Sequence, residues 1–228
     1  MSSIFKTLDT NGMEEAKDMT GGGSFTVPSN IYLANIKTAY EGLSKNNAAF
    51  VRYVFEIDGK EYSQTLYVTN RNGDAFYMKD NKKMPLPGYS RANAIAVMVT
   101  GKELHEQEVD TKVVKVYDYD AGKEVNQEVP MHVDLIGGQV YLGMLEVVKD
   151  KYQGDGTVTI NEVDAVFHKD SKQTLNEALG KRDASFYDKW LESNEGKQRD
   201  ISGESSSKGS TQGSSDDSGS KRTKSLFG

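Results

Sequence analysis

The sequence predicts a mainly β domain, an antiparallel barrel or sandwich with short helices, followed by a disordered tail. Three observations predict it. Short alternating apolar segments succeed one another from residue 31 to about residue 167. Tight-turn residues punctuate them: Asp58-Gly59, Asp120-Ala121-Gly122-Lys123 and Gly137-Gly138. Beyond residue 196 the apolar residues nearly vanish, and Ser and Gly replace them.

Residues 1–23 read as an N-terminal leader. Asp9-Thr10-Asn11-Gly12 is a turn or cap signal, 13–19 fits a helical turn or two, and Gly21-Gly22-Gly23 breaks the chain. The domain proper spans 24–195. Its first strands fall at 31–40, 49–57 and 62–68, with Asp58-Gly59 joining the second to the third as a hairpin. Val51, Tyr53, Phe55 and Ile57 alternate with Arg52 and Glu56, so one face packs and the other is open. Residues 70–89 read as a loop mixing basic and aromatic side chains. Ser90 caps a short helix over 90–99, which Gly101 ends. Strands resume at 112–119, 129–136 and 139–148, with short elements at 157–160 and 162–167. Residues 174–193 are helical in pattern, and Trp190, the only tryptophan, anchors that helix to the barrel.

Composition narrows the class. Of 228 residues 36% are hydrophobic and 27% charged, which leaves part of the chain outside any core. The absence of cysteine excludes disulfides and thiolate metal sites. No secretory signal and no apolar run of membrane-spanning length is visible, which gives the expectation of a cytoplasmic protein without membrane contact.

No enzyme signature emerges. There is no G-x-S-x-G, no H-E-x-x-H and no phosphate loop, and His105, His132 and His168 have neither metal-site nor triad spacing. Gly154-Asp155-Gly156 with Glu162 is similar to half of a calcium loop, but Lys151 stands where the first carboxylate ligand belongs. Glu103, Glu106, Glu108 and Asp110 read as solvated charge. The expectation is a non-enzymatic binding protein that needs no cofactor and no metal.

One segment does suggest a ligand. Single-stranded nucleic acid is held by cations that follow the phosphates and by flat side chains on which bases stack. Arg71, Lys79, Lys82, Lys83 and Arg91 supply the first, and Phe76, Tyr77 and Tyr89 the second. Arg52 joins them from the open face of its strand, opposite Tyr53. A second reading stands beside this one: Phe76 and Tyr77 close the end of the barrel while the lysines are merely solvated. The net charge of −6 and the pI near 5.2 are a point against nucleic-acid binding, although a basic groove can sit on an acidic body.

Several segments together resemble bacteriophage single-stranded DNA-binding proteins. They are Tyr67-Val68-Thr69-Asn70-Arg71-Asn72-Gly73, Pro85-Leu86-Pro87-Gly88-Tyr89, Thr100-Gly101-Lys102 with Leu104, Val133-Asp134-Leu135-Ile136-Gly137, Phe186-Tyr187-Asp188-Lys189-Trp190 and Lys224-Ser225-Leu226-Phe227. The resemblance implies an oligonucleotide-binding (OB) barrel core and a protein that coats exposed strands during phage replication and recombination in the host cytoplasm. It also implies that the tail recruits replication or recombination proteins. The alternative function is a β-rich interaction or virion structural protein without nucleic-acid binding.

The tail, 196–228, departs from that class. Its tip is basic, with Lys221, Arg222 and Lys224 before Leu226 and Phe227, and its one acidic pair is Asp216-Asp217. Lys224, Leu226 and Phe227 are the expected partner-binding residues. Residues 203–220 form a coil with a reach of roughly 20–25 Å, enough to engage a separate protein or the chain's own barrel. The basic residues favour an acidic docking surface.

Overall fold

Turn chemistry lays out the first sheet. The computed structural model describes residues 26–118, 122–151 and 155–203; the leader at 1–23 and the tail from 204, with Lys224, Leu226 and Phe227, lie outside the described residues. Strand β1 spans Asn30–Leu43, β2 Ala49–Ile57 and β3 Lys60–Tyr67. Asp58 and Gly59, with φ of 50° and 74°, form the two-residue turn that the sequence predicts. That turn sets Ile57 opposite Lys60 and carries the register out to Phe50 opposite Tyr67. Val51, Tyr53, Phe55 and Ile57 are buried, as their alternation requires.

The chain then leaves the sheet. Residues 70–89 are not the plain loop expected from the sequence. They contain a hairpin of β4 (Phe76–Lys79) and β5 (Lys82–Pro85), a two-stranded sheet of its own. Asp80 and Asn81, with φ of 51° and 60°, make its turn. Both side-chain types tolerate the left-handed region, and an Asp-Asn pair is a weaker sequence signal than Asn-Gly. Helix α1 (Pro87–Thr100) starts three residues before the expected Ser90 cap, because Pro87 sits at its first turn, where a missing N–H costs nothing. A Cβ on Gly88 would lie 2.1 Å from the Tyr67 carbonyl oxygen, so only glycine lets α1 approach the end of β3 this closely.

Strands β6 (Val109–Asp118) and β7 (Lys123–His132) form a second hairpin, whose turn lies partly outside the described residues. Val133–Leu135 is a 3-10 turn rather than the strand end expected there. Strand β8 (Gln139–Asp150) pairs with the first half of β1 and along its length with β9 (Thr157–His168). The two short elements expected at 157–160 and 162–167 are thus one strand. It carries a bulge at Asp164, since Gly143 faces Ala165 while Met144 faces Val163. The path β3-β2-β1-β8-β9, with α1 following β3, gives an OB-like barrel of antiparallel strands. It is not closed by hydrogen bonds: β3 and β9 are joined only by Val163 N donating to Gln64 Oε1 at 3.1 Å among the described contacts. Inside lie Tyr53, Phe55, Leu135, Leu142 and Met144, with Ile95 of α1 covering one end.

The helical stretch expected at 174–193 is two helices, α2 (Leu175–Leu179) and α3 (Phe186–Asn194). One buried carboxylate ties them together. Glu177 Oε2 accepts from Thr174 N and Thr174 Oγ1, while its Oε1 accepts from Ser185 N, Ser185 Oγ and Phe186 N. It completes the capping box of α2 and supplies the N-terminal acceptor for α3. Burial pushes its pKa up, but the hydrogen bonds from Thr174, Phe186 and Ser185 outweigh that, and the net shift is downward. A carboxyl whose folded pKa is depressed stabilises fully above its unfolded value near 4.3 and loses that contribution as pH falls through the folded value. Glu177→Gln turns one acceptor into a donor facing donors. It is expected to cost about 2 kcal/mol at pH 7, with the gap to wild type closing in acid below pH ~4, as read from thermal melts across pH.

Strand β10 (Gln198–Asp200) then pairs parallel to β8 inside the stretch assigned to the tail. All three of its residues are exposed and polar, so no apolar pattern marked it.

Candidate nucleic-acid interface

The open face of β1–β2–β3 is built by even-numbered β2 residues and their cross-strand partners. Phe50 stands opposite Gly42 on β1 and Tyr67 on β3; Arg52 stands opposite Tyr40 and Thr65. Directly opposed side chains share a face, so these residues form one patch. The Phe50 and Tyr67 rings meet edge to face, with centroids 6.0 Å apart and planes at 75°. Tyr67 is 52% exposed and Phe50 is half-buried. Gly42 leaves room for the Phe50 ring, since a Cβ there would lie 2.4 Å from it. Arg52 reaches Thr65 Oγ1 at 3.5 Å, a weak contact that engages one nitrogen of its guanidinium.

One hairpin packs against this patch, and a second follows it in the chain. The β6–β7 hairpin joins the sheet where Tyr40 pairs with Met131. Val129, Met131, Val114 and Val116 line its inner side and pack with Tyr40 and Phe50. Between hairpin and sheet lies an apolar groove of about 370 Å³, lined among others by Leu43, Phe50, Val68, Val129 and Pro130. The β4–β5 hairpin follows β3 in the chain, and Gly88 just beyond it lies against the Tyr67 carbonyl. Its register puts Tyr77, Lys79, Lys82 and Met84 on one face and Phe76, Met78, Lys83 and Pro85 on the other. Lys83 Nζ sits 4.3 Å from the centre of the Phe76 ring, a cation–π contact. Tyr77 is 43% exposed and all three lysines are exposed.

The structure spreads the expected site residues over four places. Lys79, Lys82, Lys83, Phe76 and Tyr77 lie together on the β4–β5 hairpin, which is not part of the barrel sheet. Arg71 is exposed in the loop before it, and Arg52 is on the open face. Tyr89 and Arg91 belong to α1 and face elsewhere. Tyr89 packs against the core. Arg91 Nε donates to the Asp164 carbonyl at 3.0 Å and its Nη2 reaches Asp164 Oδ1 at 3.4 Å, which gives that guanidinium a structural partner. Phe50, Tyr67 and Tyr40 escaped the sequence reading.

The remaining polar groups do not converge on chemistry. His132 is buried in the core, its Nε2 3.2 Å from Glu41 Oε1, and the ring holds the Glu41 carboxyl below its ordinary range. No Ser, Thr or Lys nucleophile completes this pair among the contacts described. Among the described residues no cluster of His, Asp and Glu could hold a metal, and no helix is long and apolar enough to cross a membrane. No protein-family model, curated relative or solved structure matches the chain.

Proposed function

We propose that this protein is a non-enzymatic single-stranded DNA-binding protein that coats exposed strands during replication and recombination. The observation that carries the reading is the edge-to-face pair of half-buried Phe50 and exposed Tyr67 beside Arg52 on the open sheet face, with three exposed lysines on the hairpin that follows β3. On an OB-like barrel the face of strands 2 and 3 is where oligonucleotides lie. Bases stack on Phe50 and Tyr67, Arg52 and the hairpin lysines follow the phosphates, and the apolar groove beside Phe50 takes an unstacked base. Stacking on π faces tolerates every base, so binding has little sequence preference.

The acidic balance of the chain is compatible with this geometry. Glu56 and Glu61 face each other beside the Asp58-Gly59 turn, at the end of β2 and β3 opposite Phe50 and Tyr67.

The test is fluorescence anisotropy with a labelled oligothymidine, comparing wild type with the double variant Lys82→Glu and Lys83→Glu. The variant is expected to bind at least about tenfold more weakly at 0.1 M salt, with a shallower salt dependence, because each lost phosphate contact removes ~0.7 from the slope. Its circular dichroism stays unchanged, since both side chains are solvent-exposed. Equal affinities and equal slopes would take the hairpin out of the interface.

A further inference from the structure

The barrel's open seam holds the second site. Strands β3 and β9 each have one hydrogen-bonded neighbour among the described strands, β2 and β8 respectively. Between their free edges runs a cleft of about 610 Å³. Its floor is apolar, with Phe55, Tyr62, Met144 and Ile160, and its rim carries Glu61 and Glu162 against a single cation, Lys149. The acidic character extends beyond the rim. Burial and then the charge of Asp58 raise the pKa of Tyr62, and the neighbouring Tyr32 also senses Asp58 and Glu146. Two unpaired strand edges over an apolar floor are a template for an added strand.

We propose that residues 221–228 of this same chain, Lys221-Arg222-Thr223-Lys224-Ser225-Leu226-Phe227-Gly228, dock in that seam. Three observations select this occupant. The described chain ends at Gly203, whose N–H donates to Asp150 Oδ2 at 2.9 Å, and Asp150 adjoins Lys149 on the cleft wall. From there the 17 residues of 204–220 can span at most about 55–60 Å, against a length of ~26 Å for an eight-residue strand such as β3. Every part of the seam is thus within the tether's range. Charge then matches: Lys221, Arg222 and Lys224 meet a rim dominated by Glu61 and Glu162. Apolar matter matches too, since Leu226 and Phe227 cover a floor of Phe55, Tyr62, Met144 and Ile160. Tethering raises the local concentration of the segment to the millimolar range, so a weak contact suffices. The inference does not depend on DNA binding: the seam shares Thr65 and Tyr67 with the Phe50–Arg52 face, but Phe55, Met144, Ile160, Glu61 and Glu162 lie outside that patch.

The experiment uses the full chain with a photoreactive benzoylphenylalanine in place of Phe227. After irradiation at micromolar protein in low salt, cross-linked peptides are mapped by mass spectrometry. The expected result is intramolecular cross-links to β9 and to residues 61–64 of β3, with a yield unchanged on dilution. Glu61→Lys with Glu162→Lys is expected to cut that yield at least about fivefold through lost charge attraction. Should that variant unfold, Lys221→Glu with Arg222→Glu and Lys224→Glu reads the same attraction from the other side. Cross-links to the Phe50–Arg52 face, cross-links between two chains, or no cross-link in the folded protein would each overturn the proposal.

Discussion

Phe50→Leu combined with Tyr67→Ala is expected to weaken binding to oligothymidine by at least about 30-fold at 0.1 M salt, with the salt dependence unchanged. The pair of changes removes two π faces and no cation. Leucine at position 50 keeps the apolar volume that packs against Tyr40, Val129 and Met131, so the β6–β7 hairpin stays seated. Tyr67 is more than half exposed, so its loss costs little stability. Stacking and charge are thereby separated: the aromatic variant lowers affinity at every salt concentration, whereas the lysine variant flattens the salt slope. Anisotropy titrations over a salt series measure both. An aromatic variant that binds as wild type does would leave the sheet face without a role in stacking.

The largest effect on stability is expected at Trp190. Its side chain is 2% exposed and packs with Leu145, Val147, Ala165 and Phe167, joining α3 to the outer side of β8 and β9. Its Nε1 donates to Asp164 Oδ2 at 2.8 Å. The Asp164 bulge turns that carboxylate so that it serves two elements, Trp190 from α3 and Arg91 from α1. Gly143 makes the fit possible, since a Cβ there would lie 2.9 Å from the indole. Trp190→Ala leaves a large cavity and one unpaired carboxylate oxygen, and is expected to cost about 3–5 kcal/mol. Urea unfolding followed by circular dichroism measures it. A loss below about 1 kcal/mol would mean that α3 is not integral to the domain.

Much of the barrel was legible because period-two alternation and two-residue turns are local signals. The Asp58-Gly59 turn alone fixes the β2–β3 register, and from it Phe50 opposite Tyr67 and Arg52 opposite Thr65 can be counted outward. The open-face patch is therefore within reach of the sequence, although its cations are fewer than those of the 71–91 segment. Other features were not local. The β4–β5 hairpin turns on Asp80-Asn81, a weak signal, and its strands are exposed on both faces, so no alternation marks them. Arg91 looked like a phosphate ligand because its partner, Asp164, lies 73 positions away and is presented by a bulge that no pattern reveals. Glu177 joins α2 to the start of α3 through donors on Ser185 and Phe186, eight and nine positions away, which no local pattern reveals.

The most direct measurement is the affinity of the wild-type protein for a labelled oligothymidine as a function of salt. The geometry predicts tight binding in low salt and a linear fall of log affinity with log salt, with a slope near −3 for four or so phosphate contacts from Arg52, Lys79, Lys82 and Lys83. No binding at micromolar protein in low salt would contradict the reading of this surface as a nucleic-acid interface.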